Sequence, residues 1–416
     1  MKKKVLIKGP ILTRSGYGEQ ARFALRALRS QPEVFEIFVQ PIIWGQTSWL
    51  IENDEERLWL DQTIEKTISY IQQGGQFDIS LQVTIPPEWE ALAPVNIGYT
   101  AGVETTKAHH AWIQKGNQMD KIIFVSNHSR QVFETSKYQG TNNQTGQEIF
   151  LQSTSPLEVV NYPAKVHESL PELELELTTS FNFLTVAQFG IRKNLENTIK
   201  WFLEEFIDDD VGLVVKTNLA KNCLLDRELV TARLRALVTG QKPERKCKVY
   251  LLHGDMTDDE IHALYDHSDI HAMLCLTHGE GYGLPMFEAA YSGMPVVCPG
   301  WSGQLDFLLS ETGEEKFYNV SYDVQPVQEE AVWDGVIMAE SMWCYARASS
   351  AKKTMRQCYE DVINNKGIAS QSKEYAQQLH ERFEENKLYK QFCDTIYSPT
   401  TEDQQWLDDL SKIELL

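Results

Sequence analysis

The sequence predicts an α/β protein made of two consecutive domains, each built on a parallel β-sheet. Its 416 residues are too many for one ordinary core and suit two. Short apolar runs alternate with helical patterns, which is typical of parallel strands joined by helices, and this alternation restarts after a charged segment at 171–177. We therefore expect domains at 1–172 and 178–385, and a helical segment at 386–416 that packs back on the first domain.

The predicted elements of the first domain begin with a strand at 4–8. Further strands are predicted at 36–39, 78–83, 95–99 and 121–126, and helices at about 17–30, 54–73, 108–118 and 129–136. The polar, Gly- and Asn-rich stretch 140–146 indicates a surface loop.

The second domain repeats this architecture. Strands are predicted at 181–186, 211–216, 248–252, 269–274 and 295–298, and helices at 195–206, 226–237 and 257–268. From about residue 340 to the end, the amphipathic pattern predicts helices only.

Composition excludes several classes of protein. There is no run of about 18 apolar residues, so we expect no integral membrane association. The seven cysteines are odd in number and form no C-x-x-C pair, which favours reduced thiols in a cytoplasmic protein and no metal site. A net charge of −20 disfavours non-specific nucleic-acid binding, although the segment 216–248 is locally basic. That segment is either a solvated helix face or a positive wall beside an anionic ligand.

The strongest motif is HGEGYGLPMFEAA at 278–290, which follows a predicted strand. Pro285 suits the first position of a helix, and Gly281 and Gly283 allow the backbone to approach a ligand closely. A helix N-terminus that opens onto a Gly-rich loop binds anions such as a diphosphate. Glu280 precedes this helix and Glu288 lies inside it, so their carboxylates can reach separate hydroxyl-bearing parts of one ligand.

Glu280 and Glu288 match the E-x7-E pattern of retaining glycosyltransferases with the GT-B fold, and EGYGLPMFEA resembles glycosyltransferase family 4 of bacterial and phage type. The resemblance implies two Rossmann-like domains that face each other across a cleft. It places Glu280 at the donor sugar as a catalytic residue and Glu288 at the ribose hydroxyls. The rest of the donor-binding segment would be Gly281, Tyr282, Gly283 and Leu284.

A second basic stretch, AQFGIRKN at 187–194, is similar to the place where this family holds the donor diphosphate with an Arg/Lys pair. Gln188 stands where the earlier Arg is usual. The cations that bind the diphosphate are therefore expected among Arg192, Lys193 and Lys216, and the sequence leaves open which two of the three contact phosphate.

The first domain supplies further candidates. Gly16 and Gly18 technically fit the dinucleotide fingerprint, but about seven residues separate them from the strand end, whereas that fingerprint requires a tight turn. The loop is more similar to the glycine loop that approaches the transferred sugar in GT-B enzymes; a plain connection is the alternative. The stretch 96–112 resembles the first domain of bacterial and phage members, which nominates Glu104, His109 and His110 as catalytic residues. Helical histidines are otherwise usually structural or solvated.

The resemblance implies a retaining glycosyltransferase whose co-substrate is a nucleotide diphosphate sugar, by default a UDP-sugar, with no cofactor or metal required. A glycan or lipid-linked glycan is the expected acceptor, and a hydroxymethylated base in phage-type DNA is the alternative. A nucleotide-sugar epimerase, a phosphorylase and a non-catalytic sugar-nucleotide-binding protein are the other functions that remain open. The oligomeric state is not predicted.

Overall fold

The protein is described by a computed structural model, which covers residues 2–45, 47–51, 53–141, 146–240, 242 and 244–398. Two six-stranded sheets dominate it, and every pairing within them is parallel. The predicted α/β class with two parallel sheets is confirmed.

The first sheet has the strand order β2-β1-β3-β4-β5-β8. The strands of this half are β1 (Lys3–Gly9), β2 (Phe35–Pro41), β3 (Ile79–Val83), β4 (Val95–Thr100), β5 (Lys121–Phe124), β6 (Tyr138–Thr141), β7 (Glu148–Leu151) and β8 (Leu157–Val159). Its helices are α1 (Gly16–Arg29), α2 (Glu55–Gln72), α3 (His110–Gly116) and α4 (Asn127–Thr135). The register of the central strand pairs Val5 with Ile37 on one side and Ile79 on the other.

The second sheet has the order β11-β10-β9-β12-β13-β14. Its half of the chain contains the strands β9 (Phe181–Val186), β10 (Val211–Lys216), β11 (Lys248–Leu252), β12 (Ala272–Leu274), β13 (Val296–Pro299), β14 (Tyr318–Val320), β15 (Tyr322–Pro326) and β16 (Met342–Ala346). The helices are α5 (Leu195–Phe206), α6 (Leu224–Thr239), α7 (Asp258–Tyr265), α8 (Leu284–Tyr291), α9 (Leu305–Leu308), α10 (Ala348–Ile363), α11 (Ser372–Arg382) and α12 (Glu385–Ile396).

The strands form where the sequence has continuous apolar runs, because helices cover both faces of a parallel sheet. All five residues of β3 and the first five of β10 are buried. Local signals set the helix starts: the Ser15 side chain caps α1 and a Thr257–Glu260 capping box opens α7.

The last described helix, α12, packs against α1 of the first half. The Phe23 and Phe392 ring centroids are 5.2 Å apart, and the Cys393 thiol donates to the Ala27 carbonyl at 3.0 Å. Lys121 Nζ donates to the carbonyl of Thr395 at 2.6 Å. The chain therefore crosses between the two halves twice, between β8 and β9 and again between α11 and α12. The end of the predicted 386–416 segment, from residue 399 on, lies outside the described residues.

One prediction of secondary structure is wrong and another is incomplete. The region from about residue 340 was expected to be helical throughout, yet Met342–Ala346 forms strand β16, which pairs antiparallel with β15. The first two residues of the predicted loop 140–146 belong to strand β6, which pairs antiparallel with β7, and residues 142–145 lie outside the described part of the chain. In both cases the strand is defined by a partner that a local pattern does not show.

We call residues 322–346, which include β15, β16 and the connection between them, the clasp. The clasp extends from the second sheet and binds the first domain: Trp112 Nε1 donates to the Gly335 carbonyl at 2.7 Å. The Thr106 amide donates to the Met342 carbonyl at 2.9 Å, and the Met342 amide donates to Thr106 Oγ1 at 3.0 Å. These contacts hold the two halves together beside the cleft.

Three further findings concern the described part of the chain as a whole. None of its helices combines the length and apolarity needed to cross a membrane. Its His, Cys, Asp and Glu side chains form no group of three that could hold a metal ion. The seven cysteines are all free thiols, and Cys223 alone is exposed.

Candidate functional site

A cavity of about 930 Å³ lies between the two sheets. Loops at the carboxyl ends of strands from both sheets line it, as expected for ligand sites in parallel α/β folds. The first domain contributes 14–17, Ala101 and Glu104; the second contributes 186–188, 192–193, 216–218 and 280–285. The cavity is therefore formed jointly by the two domains.

Two cations hold the carboxylate of Glu280 in the cavity wall. Its side chain is buried, and Lys193 Nζ contacts both carboxylate oxygens, at 2.7 and 2.8 Å. Arg192 Nη1 donates to Glu280 Oε2 at 2.9 Å. Burial alone would raise the pKa of Glu280, but the charges and hydrogen bonds of Lys193 and Arg192 outweigh it and lower the pKa to about 2. The carboxylate is thus ionised at any ordinary pH.

Arg192 also links the two domains. Its Nη1 lies 3.2 Å from Glu104 Oε1 in the first domain and donates to the Gly279 carbonyl at 2.7 Å. Burial would lower the pKa of Arg192, yet Glu104 and Glu280 raise it above its ordinary value. A permanently charged guanidinium between two carboxylates fixes the loop after β4 against the loop after β12.

The loop after β12 ends in a left-handed residue, Gly283, with φ 97°, a conformation that favours glycine. Helix α8 begins at Leu284, one residue before the predicted start, so that Pro285 occupies its second position. The amides of Met286 and Phe287 both donate to the Gly283 carbonyl. Among the described residues, the amides of Gly283 and Leu284 have no acceptor, and both residues line the cavity. The start of α8 therefore presents unpaired N–H groups and the positive end of its dipole.

Gly281 lines the cavity, and its lack of a side chain also makes room for the first domain. A Cβ at Gly281 would lie 2.7 Å from the carbonyl oxygen of Ala101, and one at Gly279 would lie 2.6 Å from that of Glu104. Both glycines therefore permit the close approach of the first domain. Tyr282 lies beneath the loop, buried against Tyr162 at a ring-centroid distance of 5.1 Å.

Glu288 lies on α8 at the opposite side of the helix start from Glu280. Tyr265 donates its hydroxyl to Glu288 Oε2 at 3.0 Å. Burial raises the pKa of Glu288 to about 7, with Lys165 and the Tyr265 hydrogen bond opposing the rise. Lys165 itself bridges Glu19 of α1 and Asp258 of α7, at 2.8 Å to each. The pKa of Glu288 thus lies near neutral pH, and its carboxylate lines the cavity.

Lys216, at the end of β10, lines the cavity and donates from Nζ to the Gly254 carbonyl. Burial lowers its pKa, while Asp255 raises it and Arg14 lowers it further. Arg14 Nη1, from the first domain, donates to the Met256 carbonyl at 2.5 Å. Of the basic residues described between 216 and 248, Lys216 is the one that lines the cavity, whereas the others lie along α6 and its flanks.

The structure does not bring every candidate residue to the cavity. Gly16 lines it with open space above its Cα, but a Cβ at Gly18 would lie 2.0 Å from the Thr13 carbonyl oxygen, so Gly18 packs inside its own loop. The His109 side chain accepts from the Ala111 amide at 3.2 Å and caps α3. His110 is exposed beside it, with 3.3 Å between the two Nδ1 atoms. Gly18 and both histidines lie outside the cavity lining as the described residues define it.

Sequence reasoning missed a carboxylate that shapes the cavity wall. Asp226 accepts from the amides of Leu219, Ala220 and Lys221 at 2.8–3.0 Å and lies 2.9 Å from His253 Nε2. Burial raises the pKa of Asp226, but these hydrogen bonds lower it to about 2. The available signal was an Asp in the first turn of a predicted helix, a common capping pattern that does not reveal the cavity.

A residue of the loop after β13 supports the motif from below. Ser302, with φ 71°, accepts the Glu280 amide on its Oγ at 2.8 Å. Its neighbour Trp301 donates from Nε1 to the Glu104 carbonyl at 3.3 Å. The loop after β13 therefore supports Glu280 and touches the first domain.

Comparison of the whole chain with known proteins gives a structural answer only. No protein-family model and no curated protein sequence matches the chain. Several solved structures match over nearly its full length. Sucrose-phosphate synthase from Thermosynechococcus elongatus has a TM-score of 0.59 at 13% identity, covering 95% of this chain and 98% of its own.

Two further structures agree. HepE from Anabaena, in complex with UDP-glucose, has a TM-score of 0.57 at 14% identity and covers 94% of this chain and 98% of its own. A glycosyltransferase from Rickettsia africae has a TM-score of 0.55 at 12% identity, with coverage of 95% and 98%. These likenesses, together with the two parallel six-stranded sheets, show that the chain has the GT-B fold of two Rossmann-like domains facing across a cleft.

Proposed function

We propose that the chain is a glycosyltransferase that binds a nucleotide diphosphate sugar in the interdomain cavity and transfers its sugar to an acceptor hydroxyl. The observation that carries this proposal is the cluster of Glu280, Arg192 and Lys193 beside the unpaired amides at the start of α8. Cations and a helix N-terminus suit a diphosphate. An ionised carboxylate next to them suits the hydroxyls of a sugar.

The donor we propose is a UDP-sugar. HepE, which shares the fold, was solved with UDP-glucose. In the proposed pose, the diphosphate lies at Leu284 with Lys193 and Lys216 as its cationic partners, and Glu288 accepts hydrogen bonds from the ribose. A cavity of about 930 Å³ accommodates a ligand of this size together with an acceptor group.

The chemistry we propose is transfer with retention, as the E-x7-E pattern implies. The bond from the anomeric carbon to the β-phosphate oxygen breaks, and the acceptor oxygen attacks the same face as the diphosphate departs. The acceptor proton passes to the leaving diphosphate, which the charges of Arg192 and Lys193 stabilise together with the α8 amides. Glu280 stays ionised because of its low pKa and positions the donor sugar.

Domain 178–385 would then hold the donor and domain 1–172 the acceptor. Glu104 belongs to the acceptor half and reaches the donor half through Arg192. We propose that Glu104 positions Arg192, because the ion pair forms only when the two domains are close. His109 and His110 are assigned no step, since they lie outside the cavity lining.

The test is a turnover assay with a panel of nucleotide sugars, with and without oligosaccharide acceptors, in which nucleotide release and product mass are measured. We expect acceptor-dependent release of UDP. Glu280→Gln keeps the size of the side chain but removes its charge, so kcat should fall by about 100-fold or more. The matched control is Glu314→Gln, which changes an exposed glutamate.

Two results would contradict the proposal. Conversion of the nucleotide sugar without release of nucleotide would indicate an epimerase instead. Binding of the nucleotide sugar without turnover would indicate a binding protein. Glu280→Gln with unchanged turnover would also exclude the proposed role of this carboxylate.

A further inference from the structure

We infer that the acceptor is a carbohydrate whose sugar rings stack on two tryptophans that line the cavity, Trp333 of the clasp and Trp44 of the first domain. This inference rests on the proposed glycosyl transfer and specifies the acceptor. It assigns the clasp a role in binding as well as in joining the domains.

Trp333 is 61% exposed and lines the cavity. Its backbone is nevertheless fixed: the Trp333 amide donates to the Ile337 carbonyl at 3.0 Å, and the Ile337 amide returns a bond to the Trp333 carbonyl at 2.8 Å. The turn between them contains Gly335, whose carbonyl accepts from the fully buried Trp112 of the first domain. The Trp333 ring is therefore presented to the cavity from an anchored turn.

Trp44 lies on the other domain, after β2, and also lines the cavity. Its ring centroid is 4.4 Å from that of Tyr17, with an interplanar angle of 42°. The Tyr17 hydroxyl bonds Thr100 Oγ1 at 2.8 Å, which fixes the ring against the end of β4. Both aromatic surfaces are therefore held in place before any ligand arrives, which lowers the entropic cost of binding.

Tryptophan faces bind either the C–H face of a sugar ring or a nucleobase, so charge must decide between them. Arg26 and Arg57, two arginines of the first-domain wall, are already paired with carboxylates. Arg26 Nε lies 2.7 Å from Glu56, and Arg57 Nε lies 2.9 Å from Asp61. DNA binding requires several cations directed at phosphates. Paired ions offer donors and acceptors to hydroxyl groups without net positive charge, which favours a neutral glycan.

The test compares Trp333→Ala and Trp44→Ala with a matched control, Trp49→Ala. Trp49 is 45% exposed in the same first-domain loop as Trp44 but does not line the cavity. Saturation-transfer NMR would measure binding of maltotriose, cellotriose and chitotriose in the presence of UDP. Calorimetry would measure the Kd of UDP-glucose for each variant.

We expect at least one trisaccharide to bind, and the two alanine variants to weaken that binding by about tenfold. Trp49→Ala should leave it unchanged, and Trp333→Phe and Trp44→Phe should restore most of it. The Kd of UDP-glucose should be the same in all of these proteins, which shows that the variants are folded and the donor site is intact.

The inference is overturned if UDP-glucose binds but no trisaccharide does, or if trisaccharide binding is indifferent to both tryptophans. It is also overturned if a duplex containing hydroxymethylcytosine binds in a Trp333-dependent manner and the trisaccharides do not. If wild-type protein binds neither UDP nor any nucleotide sugar of the panel, the proposed function fails first, and the two failures are thereby distinguished.

Discussion

Replacing Glu288 with Gln should stabilise the ligand-free protein at alkaline pH while weakening donor binding. Among the described residues, no cation lies in direct contact with the Glu288 carboxylate, and its hydrogen bond comes from the Tyr265 hydroxyl. Gln keeps an acceptor for that hydroxyl and removes the buried charge. The carboxylate is therefore retained at a cost in stability, as is common for binding residues.

The size of the effect follows from the pKa. Burial raises the pKa of Glu288 from 4.5 to about 7. The folded protein therefore binds the Glu288 proton more tightly than the unfolded chain does. The resulting contribution to the free energy of unfolding is fully present below 4.5, the pKa in the unfolded chain, and is lost as the pH rises through about 7, the pKa in the folded protein. The full shift corresponds to about 3 kcal/mol. Because the side chain is only partly buried, we expect about 1–2 kcal/mol in practice.

Urea denaturation at pH 5 and pH 8 measures this directly. Glu288→Gln should gain stability over wild type at pH 8 and gain little at pH 5. Addition of UDP-glucose should stabilise wild type more than the variant, because the variant lacks the proposed ribose ligand. Glu374→Gln, at an exposed position of α11, is the control and should match wild type at both pH values. A stability difference that does not depend on pH, or a variant that is less stable at pH 8, would refute the reasoning.

Two other substitutions test the cavity walls. Gly281→Ala places a Cβ 2.7 Å from the Ala101 carbonyl oxygen, so closure of the domains should weaken and the KM for donor should rise. The control is Gly16→Ala, whose Cβ meets no atom within 4 Å and which should fold normally. Equal thermal stability and equal KM for the two variants would argue against the close contact. Asp226→Ala removes the acceptor of three loop amides, so UDP binding should weaken and the protein should lose about 2 kcal/mol of stability at pH 7. Since the pKa of Asp226 is lowered to about 2, wild type should lose this contribution as pH falls through that value, and an identical acid-unfolding curve for Asp226→Ala would contradict it.

The fold was predictable because short-range sequence patterns indicate the strands and helices of parallel α/β domains. Buried strands such as Val211–Lys216 consist mainly of consecutive apolar residues, and capping residues mark the starts of helices such as α1. The clasp was not predictable. Strand Met342–Ala346 pairs with Tyr322–Pro326 and bonds Thr106, which is more than 200 residues away. No short-range pattern contains that information.

The site shows the same division. The motif around Glu280 was visible because glycines, Pro285 and two glutamates have a fixed spacing. The direct ion pairs of Glu280 with Arg192 and Lys193 were not visible, since residues nearly 90 positions apart meet there. Gly281 was recognised, but its close contact with Ala101 of the other domain was not visible. Sequence patterns identify which residues are special more readily than what they touch.

The most direct test of the account is a crystal structure of the protein with UDP-glucose. We predict diphosphate oxygens within hydrogen-bond distance of the Leu284 amide and Lys193 Nζ, and a ribose hydroxyl on the Glu288 carboxylate. A nucleotide bound elsewhere, with the start of α8 unoccupied, would contradict the central claim.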